Sequence, residues 1–93
     1  MFVRILHRIR EQILSRQYVM TLHAEEEMDA DDLTIFDVER SILTGGIARR
    51  QKDRETGEWK YVVVGQAGAS LGIGVVAKLS PTGKLVIITV WVE

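Results

Sequence analysis

Cysteine is absent from this 93-residue chain, and proline occurs once, at Pro81. Without thiols there is no disulfide framework, no thiolate metal site and no cysteine nucleophile. No run approaches the ~18–20 apolar residues that a membrane-spanning helix needs. The opening "MFVRILHRIREQIL" mixes apolar and basic residues without a separate apolar core or a small-residue cleavage site, so it reads as a helix rather than a signal peptide. Basic residues are not in excess either. A net charge of −1 argues against a generally basic nucleic-acid binder, because phosphate contacts supply most of that affinity.

What is present is the composition of a soluble globular protein, 46% hydrophobic and 27% charged. The length suits one domain over residues 1–93, since domains commonly hold about 100–150 residues. A cysteine-free chain of this kind suits the cytoplasm, which is the expected location. The charge is segregated. Residues 23–39 carry eight acidic groups and no Lys or Arg, whereas Arg49, Arg50, Lys52 and Arg54 stand against the single Asp53. Each half can therefore face a different partner, or the two can be solvated faces that partly neutralise each other.

Hydrophobic periodicity sets the order of elements. Phe2, Ile5, Leu6, Ile9, Ile13 and Leu14 recur at helical spacing, with Arg4, Arg8, Glu11 and Gln12 opposite, which predicts an amphipathic helix over 1–16. His7 lies at the edge of that stripe and is assigned no role. A helical pair is expected over 21–44. Thr21 is the N-cap of the first helix and Thr34, with Asp37 three residues on, caps the second. Gly45 and Gly46 end it. The period then changes to two. "IARRQKDR", "WKYVVVG", "VVAKL" and "LVIITVWV" read as four strands over 46–92, with "ETGE" and "SPTGK" as turns and "QAGASLGIG" as a flexible connection. The expected class is α+β, with two to three helices on one face of a four-stranded antiparallel meander.

Two places could carry chemistry. His23 precedes Glu25, Glu26 and Glu27 in "MTLHAEEEM". Near a helix N-terminus its imidazole is favoured in the neutral form, and Glu26 or Glu27 could orient one ring nitrogen. That is half of a general-base arrangement, and it is equally a surface histidine tethered to a glutamate. The sheet is the second place. By alternation Trp59, Tyr61 and Val63 share a face, as do Leu85, Ile87, Thr89 and Trp91. The aliphatic sets opposite are expected under the helices. The other face would then carry Trp59, Tyr61, Thr89 and Trp91, joined by Arg49 and Gln51. Aromatics beside guanidinium groups can stack unpaired bases while Arg holds phosphate. The same pattern fits an apolar face buried in a dimer. The glycines of "GQAGASLGIG" form no phosphate-cradling motif, and the histidines have no metal-site spacing, so no metal and no cofactor is expected.

"YVMTLHAEEEM", "DLTIFDVERSILTGGIARR", "KYVVVG" and "KLVIITVW" together resemble the DUF4258 family (domain of unknown function 4258), over residues 17–92. That family looks similar in architecture to the RelE-like and BrnT-like toxin ribonucleases of type II toxin–antitoxin systems. The resemblance implies a RelE-like toxin fold and a toxin-type mRNA endoribonuclease that cuts by 2′-hydroxyl attack without metal. It also implies a small zinc-finger antitoxin-like partner. His23 matches the motif histidine, Arg49 or Arg50 the charged start of the first strand, and Thr89 with Trp91 the closing signature. The implied site therefore has His23, Arg49 and Tyr61 as catalytic residues. Arg50, Lys60, Lys78, Thr89 and Trp91 would bind RNA. Two positions depart from the family pattern: Glu27 stands where many members carry Arg, and Gly74 stands near a second family histidine. Loss of such groups weakens phosphate binding and acid–base capacity together, by a factor of about 10²–10⁴ for one catalytic group. The alternative reading is a non-catalytic interaction module, dimerising or binding a protein through the aromatic face.

Overall fold

The computed structural model describes residues 1–68 and 71–93. In chain order the elements are α1 (Val3–Leu14), β1 (Tyr18–Met20), α2 (Leu22–Ala30), α3 (Ile35–Thr44), β2 (Gly46–Lys52), β3 (Trp59–Gln66), β4 (Gly72–Leu79) and β5 (Leu85–Val92). The class is α+β, as the segregation of helical and alternating patterns implies. The sheet, however, has five strands in the order β1-β5-β4-β3-β2. Strands β2 to β5 make the expected antiparallel meander, and β1 adds a parallel strand beside β5. Three residues are too few to show a period of two, which is why "YVM" reads as linker in the sequence.

Each helix stops or starts for a local reason. Thr21 accepts from the Ala24 N–H at 3.1 Å, and Thr34 and Asp37 form a reciprocal capping box. Helices α1 and α2 end without glycine. Arg16 (φ 58°) and Asp32 (φ 55°) take the left-handed conformation. The N–H groups of Gln17 and Leu33 return to the carbonyls of Gln12 and Met28 at 2.8 Å. This is the Schellman pattern. Leu14, expected in the core stripe of α1, is exposed where the helix terminates, whereas Ile9 and Ile13 are buried.

The core lies between the helices and one sheet face. Ile9, Val38 and Ile42 meet Val63, Ile73, Val75, Leu85, Ile87 and Val90, all fully buried. At the closest approach Gly45 ends α3 against β3. A Cβ on Gly65 would come within 1.9 Å of the Ser41 carbonyl oxygen. Arg10 of α1 donates to the Gly45 carbonyl at 2.5 Å and the Ile42 carbonyl at 3.4 Å. A cation thus meets the negative end of α3, supplied by a different helix.

In β3 and the first part of β5 the covered face is the opposite of the one expected, whereas beyond Ile88 it is the expected one, with Val90 in the core. Tyr61 and Val63 face the helices, while Val62 points away from them with Val64. Alternation sorts residues into two sets without saying which set the helices choose. Two register shifts then break the alternation itself. Ala48 is left unpaired between Ile47 and Arg49, and Ile88 between Ile87 and Thr89. Leu85 and Ile87 therefore lie under the helices, whereas Thr89 and Trp91 lie on the free face. The connection expected over 66–74 is also shorter at both ends. Gln66 belongs to β3, and Gly72, Ile73 and Gly74 belong to β4, with Ile73 fully buried. Ala69 and Ser70 of that connection lie outside the described residues.

Candidate nucleic-acid interface

Cross-strand partners share a face, so the pairing fixes what the helix-free side presents. Arg49 pairs with Val62, Val62 with Val76, and Val76 with Thr89. Val64 pairs with Gly74, and Gly74 with Trp91. Gln51 pairs with Lys60, and Lys78 with Val86. Arg49, Lys60, Lys78, Thr89 and Trp91 are consequently brought onto one surface of four strands. Trp91 lies directly over Gly74: a Cβ there would come within 2.1 Å of the indole ring. The glycine is what gives the ring its seat. A Gly inside an apolar β-branched run was the available sequence signal for such a close approach.

The cations of this face differ in freedom. Lys78 Nζ lies 3.3 Å from Glu58 Oε1, and Lys60 Nζ lies 3.9 Å from Asp53 Oδ2. Asp53 also caps the β2–β3 turn, accepting from the backbone N–H groups of Glu55 and Thr56 at 2.9 and 3.2 Å. Those backbone hydrogen bonds, from Thr56 and then Glu55, hold its carboxyl below the usual carboxylate range, with Lys60 and Lys78 assisting. Arg49 is exposed and, among the described residues, stands in no ion pair.

Three expected site residues lie elsewhere. Tyr61 is 8% exposed, under the N-terminus of α1, with its ring edge-on to Phe2 at 6.3 Å. Arg50 stacks over Trp59 at 4.0 Å on the helix-bearing side of the β2–β3 hairpin. Trp59 itself, also expected on the free face, is thus on the other. His23 sits in the first turn of α2, exposed, with Nε2 3.2 Å from Glu27 Oε1. The same Glu27 oxygen accepts from the Val90 N–H at 3.1 Å. Glu27 thereby occupies the edge of β5 beyond the point where β1 ends. Thr21 holds the adjoining turn through Ile88 and Ile87 carbonyls, each at 3.0 Å.

Helix α2 flanks the β5 side of the sheet, and Arg49 is on β2 at the other. Three strand spacings between β5 and β2 amount to roughly 14 Å. His23 and Arg49 thus stand at opposite margins of the sheet. Among the described residues no His, Asp and Glu side chains are grouped as a metal site would require, and no helix is long and apolar enough to cross a membrane.

The architecture is a three-helix α+β domain whose mixed sheet keeps one face free of helices. The family described as "Domain of unknown function (DUF4258)" matches residues 20–92. The chain belongs to that family. No curated protein and no solved structure matches it.

Proposed function

We propose that this chain acts on RNA across the helix-free face of its sheet, as a toxin-like, metal-independent endoribonuclease of a toxin–antitoxin module. The observation that carries the reading is the gathering of Arg49, Lys60, Lys78, Thr89 and Trp91 on one uncovered surface. Trp91 offers a ring for base stacking, and Arg49 a free guanidinium for phosphate. Cleavage in this class is attack of a ribose 2′-hydroxyl on the adjoining phosphate, which expels the 5′-oxygen of the next nucleotide. Arg49 would stabilise the charge that develops on phosphorus oxygens. In this reading Glu58 would take the 2′-hydroxyl proton, and the ammonium group of Lys78 or Lys60 would give one to the leaving 5′-oxygen. His23, at the β5 margin and 3.2 Å from Glu27, is given no part in that step. A RelE-like relationship and a small zinc-finger antitoxin-like partner that would cover this face belong to the same proposal.

One observation favours a second reading, a non-catalytic interaction or dimerisation module. Tyr61 is in the core, His23 on α2 and Arg49 on the free face, whose centre Val62, Val76 and Val86 make apolar.

The deciding experiment is incubation of a mixed-sequence RNA with the purified chain in EDTA, with binding measured alongside. Cutting that Arg49→Ala lowers about 10²-fold or more, that Trp91→Ala weakens, and that His23→Ala leaves intact is the expected result. Binding without cutting would reduce the proposal to RNA recognition. An RNA neither bound nor cut at micromolar protein would leave the interaction module.

A further inference from the structure

We propose that the outer edge of β2 is a docking site for an extended acidic peptide, which would add a sixth strand to the sheet. This does not rest on the RNA reading, because it uses the edge of the sheet rather than its face.

Strand β2 is terminal in the sheet and pairs with β3 alone. An edge strand turns alternate backbone N–H and C=O groups outward, where another strand can meet them. All seven residues are exposed except Ile47, which is half-buried. The other edge offers no comparable run. There β1 has three residues, and the next free amide of β5, that of Val90, is already held by Glu27.

The charge on β2 selects the occupant. Arg49 and Gln51 lie on the helix-free side through their partners Val62 and Lys60, and Arg50 and Lys52 lie on the opposite side through Tyr61 and Trp59. Among the described residues none of these three cations is in an ion pair. Arg50 and Lys52 instead sit over the Trp59 ring, at 4.0 and 5.5 Å. A guest strand projects its side chains alternately to the two sides, so a carboxylate of either parity would find a cation beside it. A second copy of β2 would bring Arg against Arg, which is repulsive for directly opposed like charges. The cations that discourage self-pairing are those that attract a strand of carboxylates. This is main-chain addition with specificity from charge.

The test uses the whole chain and a synthetic peptide of about ten residues alternating Glu and Thr, a strand's length, followed by amide hydrogen exchange in β2. Saturable binding with slowed exchange at alternate β2 amides is expected. The triple reversal Arg49→Glu, Arg50→Glu and Lys52→Glu should weaken it about tenfold or more, the combined worth of three exposed ion pairs. Should that variant not fold, a peptide with Pro in place of Thr decides the matter on the unaltered chain. It keeps the charge, but proline at every second position holds the chain in polyproline II, with three residues per turn, so it cannot run beside β2 as a strand and should protect no amide. The proposal falls if the Glu–Thr peptide protects no β2 amide at millimolar concentration, or if the proline peptide binds as well. It falls equally if single-stranded oligouridylate, and not the peptide, protects those amides.

Discussion

Both faces of the sheet have β-branched residues at their centre, but only one is covered by helices, and the other is edged with Arg49, Lys60, Lys78 and Trp91. Under the helices, Val63, Ile73, Val75 and Ile87 are fully buried against Ile9, Val38 and Ile42. On the free face, Val62 is equally inaccessible, yet no helix reaches it. It is covered from within the sheet, in a field bounded by Arg49, Val76 and their cross-strand neighbours. β-branched residues in adjacent strands can shield one another in this way, and long cationic stems add cover while their charged ends stay in water. Burial alone therefore does not identify a core. One face packs against the helices, and the other is shielded by its own side chains.

Neighbouring residues of β4 test this most directly, since Val75 points under the helices and Val76 away from them. Val75→Ala removes two methyl groups from a packed interior and should cost about 2–3 kcal/mol in chemical denaturation. Val76→Ala, on the partly exposed side, should cost about 1 kcal/mol or less. Equal losses would show the free face to be covered in solution. A Val76→Ala loss that grows with protein concentration would assign that cover to a second copy of the chain.

How much of this could be read in advance depends on the kind of signal. Thr21, and Thr34 with Asp37, are legible because capping is local chemistry between residues three apart. The strong strands β3 and β5 are legible from their β-branched runs. Strand β1 is not, because its identity comes from pairing with β5 far along the chain. Nor are the ends of α1 and α2, where Arg16 and Asp32 do what glycine usually does. For the candidate site, Arg49, Thr89 and Trp91 were expected to share an uncovered face, and they do. They arrive there through register shifts at Ala48 and Ile88 that no strict alternation contains. Tyr61 was lost to the core because alternation pairs it with Val63 without saying which set the helices cover. Glu27 and Gly74 stand out in the sequence as departures from the family pattern, and both have structural roles. Glu27 caps the β5 edge, and Gly74 seats Trp91.

The seat of Trp91 probes the free side on its own. Gly74→Ala would drive a Cβ into the indole, so either the ring moves off the sheet or the strands separate. A loss of about 1–3 kcal/mol is expected, as for other overpacked sites. If the ring is the cause, most of that loss should disappear in a Trp91→Ala background, giving a coupling of about 1 kcal/mol or more in the double-mutant cycle. Additive losses would mean that Gly74 is needed for the backbone and not for the tryptophan.

The smallest expected effect belongs to the margin of the covered face, where one polar contact joins β1 to α3. The Tyr18 hydroxyl donates to Glu39 Oε2 at 2.5 Å, and Arg16 Nη1 lies 3.4 Å from the same oxygen. Burial, the hydrogen bond to Glu39 and the Glu39 charge together push the phenol up from 10.0 to about 12, with Arg16 opposing. The folded state therefore holds this proton more tightly than the unfolded chain does. The stability it contributes is present in full below about pH 10 and is lost as pH rises through about 12. At neutral pH Tyr18→Phe should cost about 1 kcal/mol, the ordinary net worth of such a hydrogen bond. Denaturation of both proteins across the alkaline range should show that gap closing, with the phenylalanine variant the less pH-dependent of the two. Lysine titration shifts both proteins alike and drops out of the difference. A gap that stays constant through pH 12 would mean that Glu39 does not hold the phenol in solution, and that the margin between β1 and α3 is closed by packing alone.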